Sequence, residues 1–292
     1  MSHLSSADLA LLGADLPPSM RIEVQSQRYA TGRGYIELRA SGPADAPTVV
    51  CLHGIGSSSA GYRAQLAGLA HRFRVIAWNA PGFGASTPLA AFDPRAQDYA
   101  DVLLSLLDAL RCERMAALVG SSWGSVIAMA FAARHPERLD RLVLSAPNTG
   151  RGRLRGPERD AALAHMLEAG NTPEDASREA VLARLLPADA PPAVRERVAR
   201  LRDAVTPVGW AQAVRMLLSV HTPSLVSEIL GPIDMLAGAR DTLAPIDRHA
   251  LPLCEAAPWI RLHVFEECAH MLKLEAPTRF NAIVCGTAPP VG

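Results

Sequence analysis

Six short, nearly continuous apolar runs recur along this chain, at residues 48–53, 74–79, 115–120, 141–146, 232–238 and 260–265. A strand with one wet face alternates polar and apolar residues. A run that is apolar throughout, and too short for a helix, reads as a strand buried on both faces. Helical stretches at 61–71, 96–111, 123–134, 246–256 and 271–285 lie between the runs. Strands alternating with helices need crossover connections, and these build a parallel sheet covered on both sides. Upstream, residues 21–29 and 34–40 alternate in polarity and read as an antiparallel hairpin turned at Gly32-Arg33-Gly34. The rhythm breaks between 148 and 230, where no strand-like run occurs. Pro157, Pro173, Pro187, Pro191, Pro192, Pro207 and Pro223 punctuate four or five helical stretches there, and proline suits a first helical position. The organisation expected is an α/β core formed by 1–147 and 231–292, with a helical module at 148–230 inserted into it.

Composition narrows the function classes. With 29 basic and 29 acidic residues the formal net charge is zero, which argues against a nucleic-acid partner, because phosphate binding needs a basic surface. Cys51, Cys112, Cys254, Cys268 and Cys285 are odd in number and show no CxxC spacing. Neither a disulfide framework nor a zinc site is expected, and the cytoplasm is the simplest location. The N-terminal stretch lacks a basic segment and is interrupted by Asp8 and Asp15, unlike a signal peptide. No apolar run is long enough to span a membrane. The expected partner is a small-molecule substrate, with a homodimer the assembly considered. One oddity remains: among the 29 basic residues, Lys273 is the single lysine. Arg and Lys differ chemically, but a biased genome, also visible in the Ala content, accounts for most of the excess.

The strongest chemical signal is Gly120-Ser121-Ser122-Trp123-Gly124, which follows the run MAALV and precedes the helix SVIAMAFAARHP. A serine between glycines at a sharp strand-to-helix turn is held in a strained backbone. Its hydroxyl projects above the sheet at a helix N-terminus, where N–H groups can stabilise an anion. The bland alternative is a helix N-cap. A serine nucleophile needs a base, and the base needs an orienting carboxylate. His270 follows the run 260–265 and Asp241 follows the run 232–238. Both fall in loops at strand carboxyl ends, where ligands gather in such sheets. His3, His71, His135 and His249 read as solvated, and His165, His221 and His263 as structural. Two backbone donors are needed for an oxyanion. The amide of Trp123 is one, and the amide of Ile55 in the loop His53-Gly54-Ile55-Gly56 is assigned as the other, with Gly54 the neighbouring option. His53, Gly54, Ser121, Trp210 and Met271 are the candidates for the substrate pocket. His53 also suits a loop-holding role, since buried polar groups must be paired. Met166, Met216 and Leu217 share the inserted module with Trp210 and at helical spacing read as core.

These residues together resemble the α/β-hydrolase superfamily over nearly the whole chain. The likeness rests on His53-Gly54, the run Trp78-Asn79-Ala80-Pro81-Gly82-Phe83-Gly84-Ala85-Ser86, the turn at 120–124, Arg134-His135-Pro136-Glu137-Arg138, Asp241, and His270 followed by Glu275 and Pro277. It implies a mostly parallel eight-stranded sheet flanked by helices, an all-helical cap at 148–230, and a Ser122–Asp241–His270 triad needing no cofactor and no metal. Asn79 stands where the family often has Asp, and Ala269 where it often has Gly. Dehalogenases and epoxide hydrolases of this fold use Asp at the elbow, so Ser122 argues against both. The loop HGIGSSS is similar to that of C–C hydrolases acting on ring-cleavage products, without their Pro-Gly continuation. The expected activity is hydrolysis of a small carboxylic ester or lactone through an acyl-enzyme. The alternatives are C–C hydrolysis of a diketone, acyl transfer, cofactor-free oxygenation, or a receptor on the same fold. Arg151, Arg153 and Arg155, at the entrance to the inserted module, are expected on a solvated hinge, with a substrate carboxylate as the sharper alternative.

Overall fold

The computed structural model describes residues 4–170 and 174–287. His3 and Pro173 lie outside the described residues. Eight strands form one sheet: β1 Ser19–Gln25, β2 Arg33–Ser41, β3 Thr48–Leu52, β4 Arg74–Trp78, β5 Met115–Ser121, β6 Leu142–Ser145, β7 Ile233–Gly238 and β8 Arg261–Phe265. Their order across the sheet is β1-β2-β4-β3-β5-β6-β7-β8. The pairs β1–β2 and β2–β4 are antiparallel and all other neighbours are parallel. The chain leaves β3 for β4 on one side and returns to β5 on the other. This reversal opens a crevice beyond the carboxyl ends of β3 and β5, the place where open α/β sheets bind ligands.

The helices are α1 Ser6–Gly13, α2 Arg63–Gly68, α3 Ala96–Ala109, α4 Trp123–Arg134, α5 Gly156–Glu168, α6 Glu174–Leu185, α7 Pro192–Ala199, α8 Pro207–Leu217, α9 Thr222–Val226, α10 Ala250–Ala256, α11 Leu272–Glu275 and α12 Pro277–Val284. The two-residue period of the strands divides the core. Val50, Leu52, Ile76, Trp78 and Leu118 face the layer of α3 and α4. Val49, Cys51, Val75, Ala77 and Val119 face the layer of α2 and α12. That is why these runs are apolar at every position. Helices α5–α9 all fall between β6 and β7. A third cluster joins Leu182, Leu186, Val194 and Val198 of this insert to Leu12, Met271 and Leu274.

Several expected elements are shorter or differently divided. The stretch 271–285 splits into α11 and α12 because Pro277 cannot donate to the preceding turn. The opening hairpin turns over residues 26–32: Ser26 N–H donates to Gly32 O at 2.9 Å, and Tyr29, 3% exposed, anchors the loop against Gly34. Helix α1 was not expected from the apolar pattern. Ser5 and Asp8 cap it reciprocally, the Ser5 hydroxyl accepting from Asp8 N–H at 3.1 Å. Among the described residues no helix is long and apolar enough to cross a membrane.

Candidate active site

The turn between β5 and α4 holds Ser122 at φ 52° and ψ −116°. This is a left-handed conformation that a residue with a Cβ rarely adopts. The neighbouring glycines make it feasible. A Cβ on Gly120 would lie 2.6 Å from Gly124 O and 2.7 Å from Ser125 Cα. A Cβ on Gly124 would collide with the carbonyls of Leu52 and His53. Helix α4 therefore packs directly on the ends of β3 and β5. Ser122 N–H donates to Ser145 O at 2.9 Å, and Ser125 Oγ donates to Ser122 O at 2.5 Å, so the turn is fixed from both sides. Trp123 begins α4 fully buried, edge-on to Tyr99 and beside His53 and Phe83.

Asp241 and His270 come together from the loops after β7 and β8. His270 Nδ1 lies 2.7 Å from Asp241 Oδ2, with both side chains buried. The other carboxylate oxygen, Oδ1, accepts from Leu243 N–H and Ala244 N–H at 2.8 Å each. Burial raises the Asp241 pKa, but the His270 bond and the two amides outweigh it and hold it below the ordinary value. An ionised Asp241 is a hydrogen-bond acceptor for Nδ1, an arrangement that turns Nε2 of His270 away from the carboxylate. Glu275 brackets the histidine. Its Oε2 accepts from Ala269 N–H at 2.8 Å and its Oε1 from Met271 N–H at 2.7 Å. Burial, helped by the nearby Asp241, raises Glu275 to about 7 against these two bonds. The insert reaches the same two loops: His270 N–H donates to Leu185 O at 3.1 Å, and Arg240 pairs with Asp189 at 2.7 Å.

The loop after β3 lies against the serine. A Cβ on Gly54 would be 3.3 Å from Ser122 Cβ and 3.9 Å from its Oγ. Ile55, next in the chain, is half-buried. His53 is fully buried; Nδ1 lies 2.8 Å from Gly54 O, and Nε2 accepts from Ala80 N–H at 3.0 Å. Both nitrogens serve backbone, and burial pushes the imidazole down to about 4, so the ring stays neutral and braces the loop. The two departures from the family pattern have local reasons. Asn79 Oδ1 accepts from Ser59 N–H at 2.7 Å while Nδ2 donates to Glu37 at 2.6 Å, so an Asp would set two carboxylates face to face. Ala269 is absent from the positive-φ residues among those described, so its backbone does not call for glycine.

The remaining sequence candidates divide. Ser121 is buried directly behind Ser122. Met271 joins the insert-facing cluster rather than standing open. Trp210, on α8, donates from Nε1 to Met166 O at 2.8 Å and packs on Gly170, which ties α8 to α5. Arg155 turns back on the carbonyls of Gly152 and Leu154; burial lowers the His249 pKa, and Arg151 is close enough to add to that lowering. His249, expected in solvent, is half-buried: its Nδ1 accepts from Thr149 N–H at 3.2 Å, and it feels the charges of Asp241 and His270. Helical periodicity misplaced it because residues 246–249 form a turn ahead of α10, not part of it. Sequence reasoning also missed the burial of Lys273 against Ser121; its only signal was the uniqueness of that lysine among 29 basic residues.

Comparison with known proteins bears on the fold. A Paraburkholderia phymatum 2-hydroxy-6-oxononadienedioate/2-hydroxy-6-oxononatrienedioate hydrolase is 31% identical over 259 residues, covering 81% of this chain and 85% of its own. A Chromobacterium violaceum pimeloyl-[acyl-carrier protein] methyl ester esterase is 32% identical over 230 residues, covering 77% of this chain and 87% of its own. The solved structure of a thermophilic esterase from Thermogutta terrifontis matches the fold with TM-score 0.79 at 22% identity, covering 91% of this chain and 97% of its own. The family model for the alpha/beta hydrolase fold matches residues 47–277, and with the eight-stranded sheet in this order the chain belongs to the alpha/beta hydrolase family.

Proposed function

We propose that this protein is a serine hydrolase that cleaves a small carboxylic ester or lactone through an acyl-enzyme on Ser122. The observation that carries the reading is the left-handed Ser122 at the β5–α4 turn, at the same carboxyl end of the parallel strands as a buried, bonded His270–Asp241 pair. In this mechanism His270 Nε2 takes the Ser122 proton as Oγ attacks the substrate carbonyl. The oxyanion that forms rests on the amides of Trp123 and Ile55, the first at the positive end of α4. His270 then protonates the leaving group. A water deprotonated by the same nitrogen attacks the acyl carbonyl and frees Ser122. Asp241 holds the tautomer and stabilises the imidazolium. No step calls for a cofactor. Helices α5–α9 act as a cap over this site, since Leu185 and Asp189 bond the loops that carry His270 and Asp241.

A second reading is C–C bond hydrolysis of a diketone from ring cleavage, favoured by the activity printed for the P. phymatum relative. It would use the same residues on a carbon leaving group. Fluorophosphonate labelling followed by peptide mapping tests the nucleophile: Ser122 is the residue expected to carry the adduct. A panel of esters, lactones and vinylogous diketones then separates the two readings. Unchanged ester turnover in Ser122→Ala removes the acyl-enzyme mechanism.

A further inference from the structure

Lys273, the chain's single lysine, is 1% exposed and lies behind the elbow rather than on the surface. Its Nζ is 3.0 Å from Ser121 Oγ, one peptide bond from the candidate nucleophile. Nζ also stands 5.2 Å from the centre of the Tyr62 ring, and Tyr62 Oη donates to Leu52 O at 2.8 Å, at the end of β3. The Lys273 carbonyl accepts from Gln65 Nε2 at 3.2 Å. Gly61 leaves the space the side chain threads: a Cβ there would be 3.5 Å from Lys273 Cε and 2.7 Å from Ser57 Oγ, itself buried without a partner. A cationic head thus sits in the knot joining the ends of β3 and β5, the two strands whose loops form the site.

No carboxylate is bonded to this ammonium among the described residues. Glu275, on the same helix, spends both oxygens on Ala269 and Met271. The other groups that bear on it are the Cys51 thiol from β3, the His53 imidazole and the Tyr62 phenol. On the elements packed against α11, Arg63 of α2, Arg197 of α7 and Arg279 of α12 donate to the carbonyls of Ala14, Leu12 and Val264. On α7, Arg195 pairs with Glu179 and Glu196 with Arg197 and Arg200; on β7, Asp234 pairs with Arg261 and His263. A buried charge without a counter-ion is unfavourable for folding. Composition does not explain it either, because every other basic residue is Arg. A guanidinium carries five donors in a fixed fork, where the Lys273 ammonium makes one hydrogen bond among the described residues, to Ser121 Oγ.

We infer that Lys273 is a positioning residue for the proposed hydrolysis: its ammonium, bonded to Ser121 Oγ, fixes the residue behind Ser122 and sets a positive charge behind the forming oxyanion. The inference rests on the serine-hydrolase reading. Burial lowers Lys273 to about 8, with Cys51 and Glu275 pulling upward. The supporting charge is therefore present below that pH and lost as pH rises through it, which puts an alkaline limb on acylation.

Two measurements test this. Protein labelled with 13C at the lysine ε-carbon gives one lysine resonance, and its pH titration reads Lys273 without any turnover. The rate of fluorophosphonate labelling at Ser122 is followed over the same pH range. The wild type should titrate near pH 8 in both. Lys273→Met should label about tenfold more slowly, less than the roughly hundredfold loss of a direct oxyanion donor, and show no alkaline limb. If Lys273→Met does not fold, Ser121→Ala keeps the lysine and removes its acceptor. The resonance and the alkaline limb should then shift together. A resonance titrating like an exposed lysine, a limb that persists in folded Lys273→Met, or a limb that stays put while the Ser121→Ala resonance moves would each overturn the inference alone. Absence of any Ser122 adduct in the wild type would instead overturn the hydrolase reading, and this inference with it.

Discussion

Replacing Ser122 by glycine should stabilise the protein even though it removes the proposed nucleophile. Ser122 is held at φ 52° and ψ −116°. Holding a residue with a Cβ in so sparsely populated a conformation costs of order 1–3 kcal/mol. Glycine escapes that strain but loses about 0.5–1 kcal/mol of extra unfolded-state entropy. The appropriate reference is Ser122→Ala, which lacks the hydroxyl but keeps the Cβ and its close approach to Gly54. Ser122→Gly should therefore exceed Ser122→Ala in stability by about 0.5–2 kcal/mol, with Ala close to wild type. For a chain of this size that is roughly 1–5 °C in Tm. Paired thermal and urea unfolding of the two variants measures it. The comparison cancels the loss of the hydroxyl, which both variants share, and leaves strain relief set against the entropy of glycine. If glycine is no more stable than alanine, the turn stores no strain at Ser122, and the argument that the surrounding packing enforces the elbow fails.

Gly124→Ala should destabilise by about 1–3 kcal/mol, the usual range for overpacking, because its Cβ meets the carbonyls of Leu52 and His53; urea midpoints would show it. Asn79→Asp should lose about 1–3 kcal/mol near neutral pH by setting an unsatisfied carboxylate against Glu37. The Glu37→Gln double variant should recover much of that loss. Two carboxyls set opposite pH trends. Asp241 is held low, so its contribution to stability is present above the ordinary carboxylate pKa and declines as pH falls, and Asp241→Asn should flatten the acid side. Glu275 is raised to about 7, so its effect on stability declines as pH rises from the unfolded value through 7. Glu275→Gln should remove that slope in urea titrations at pH 5, 6, 7 and 8.

The parts of the fold written in hydrophobic period were legible from sequence. The buried strands, the inserted helices and the Ser–Asp–His candidates all follow from apolar runs and from loops at strand ends. Boundaries set by single residues were less so: Pro277 divided one helix, and a turn anchored by Tyr29 shortened the hairpin. What sequence could not supply was the third dimension of polar side chains. Helical periodicity assigned His249 to solvent, yet the turn before α10 brings it to Thr149 at the start of the insert. Lys273 lies three residues after His270 on a short helix, a spacing that says nothing about Ser121, which is 152 positions away in the chain. Such contacts arise from strand order: β3 pairs with β5, so Tyr62 and Gln65 from the segment after β3 and Ser121 at the end of β5 meet Lys273 of α11.

That strand order also decides how the insert sits. It is not a flap joined only where the chain enters and leaves. Leu185 and Asp189 bond the His270 and Asp241 loops. Ala204 accepts from Gly84 N–H at 2.7 Å, Thr206 Oγ1 donates to Gly82 O at 2.5 Å, and Gln212 Nε2 donates to Leu89 O and Ala91 O at 2.8 Å each. The stretch from α6 to α8 is thereby bonded to the 82–91 segment and to the loops that carry the candidate base and acid, and shifting it would break those bonds. Helix α5 differs. It contributes no fully buried residue; Met166 packs half-buried against the main core, and Trp210 Nε1 donates to Met166 O. Apolar burial is what holds a helix against its neighbours, so backbone amides of α5 should exchange with deuterium faster than those of α7 and α8, whose Val194, Val198, Val214 and Met216 are buried.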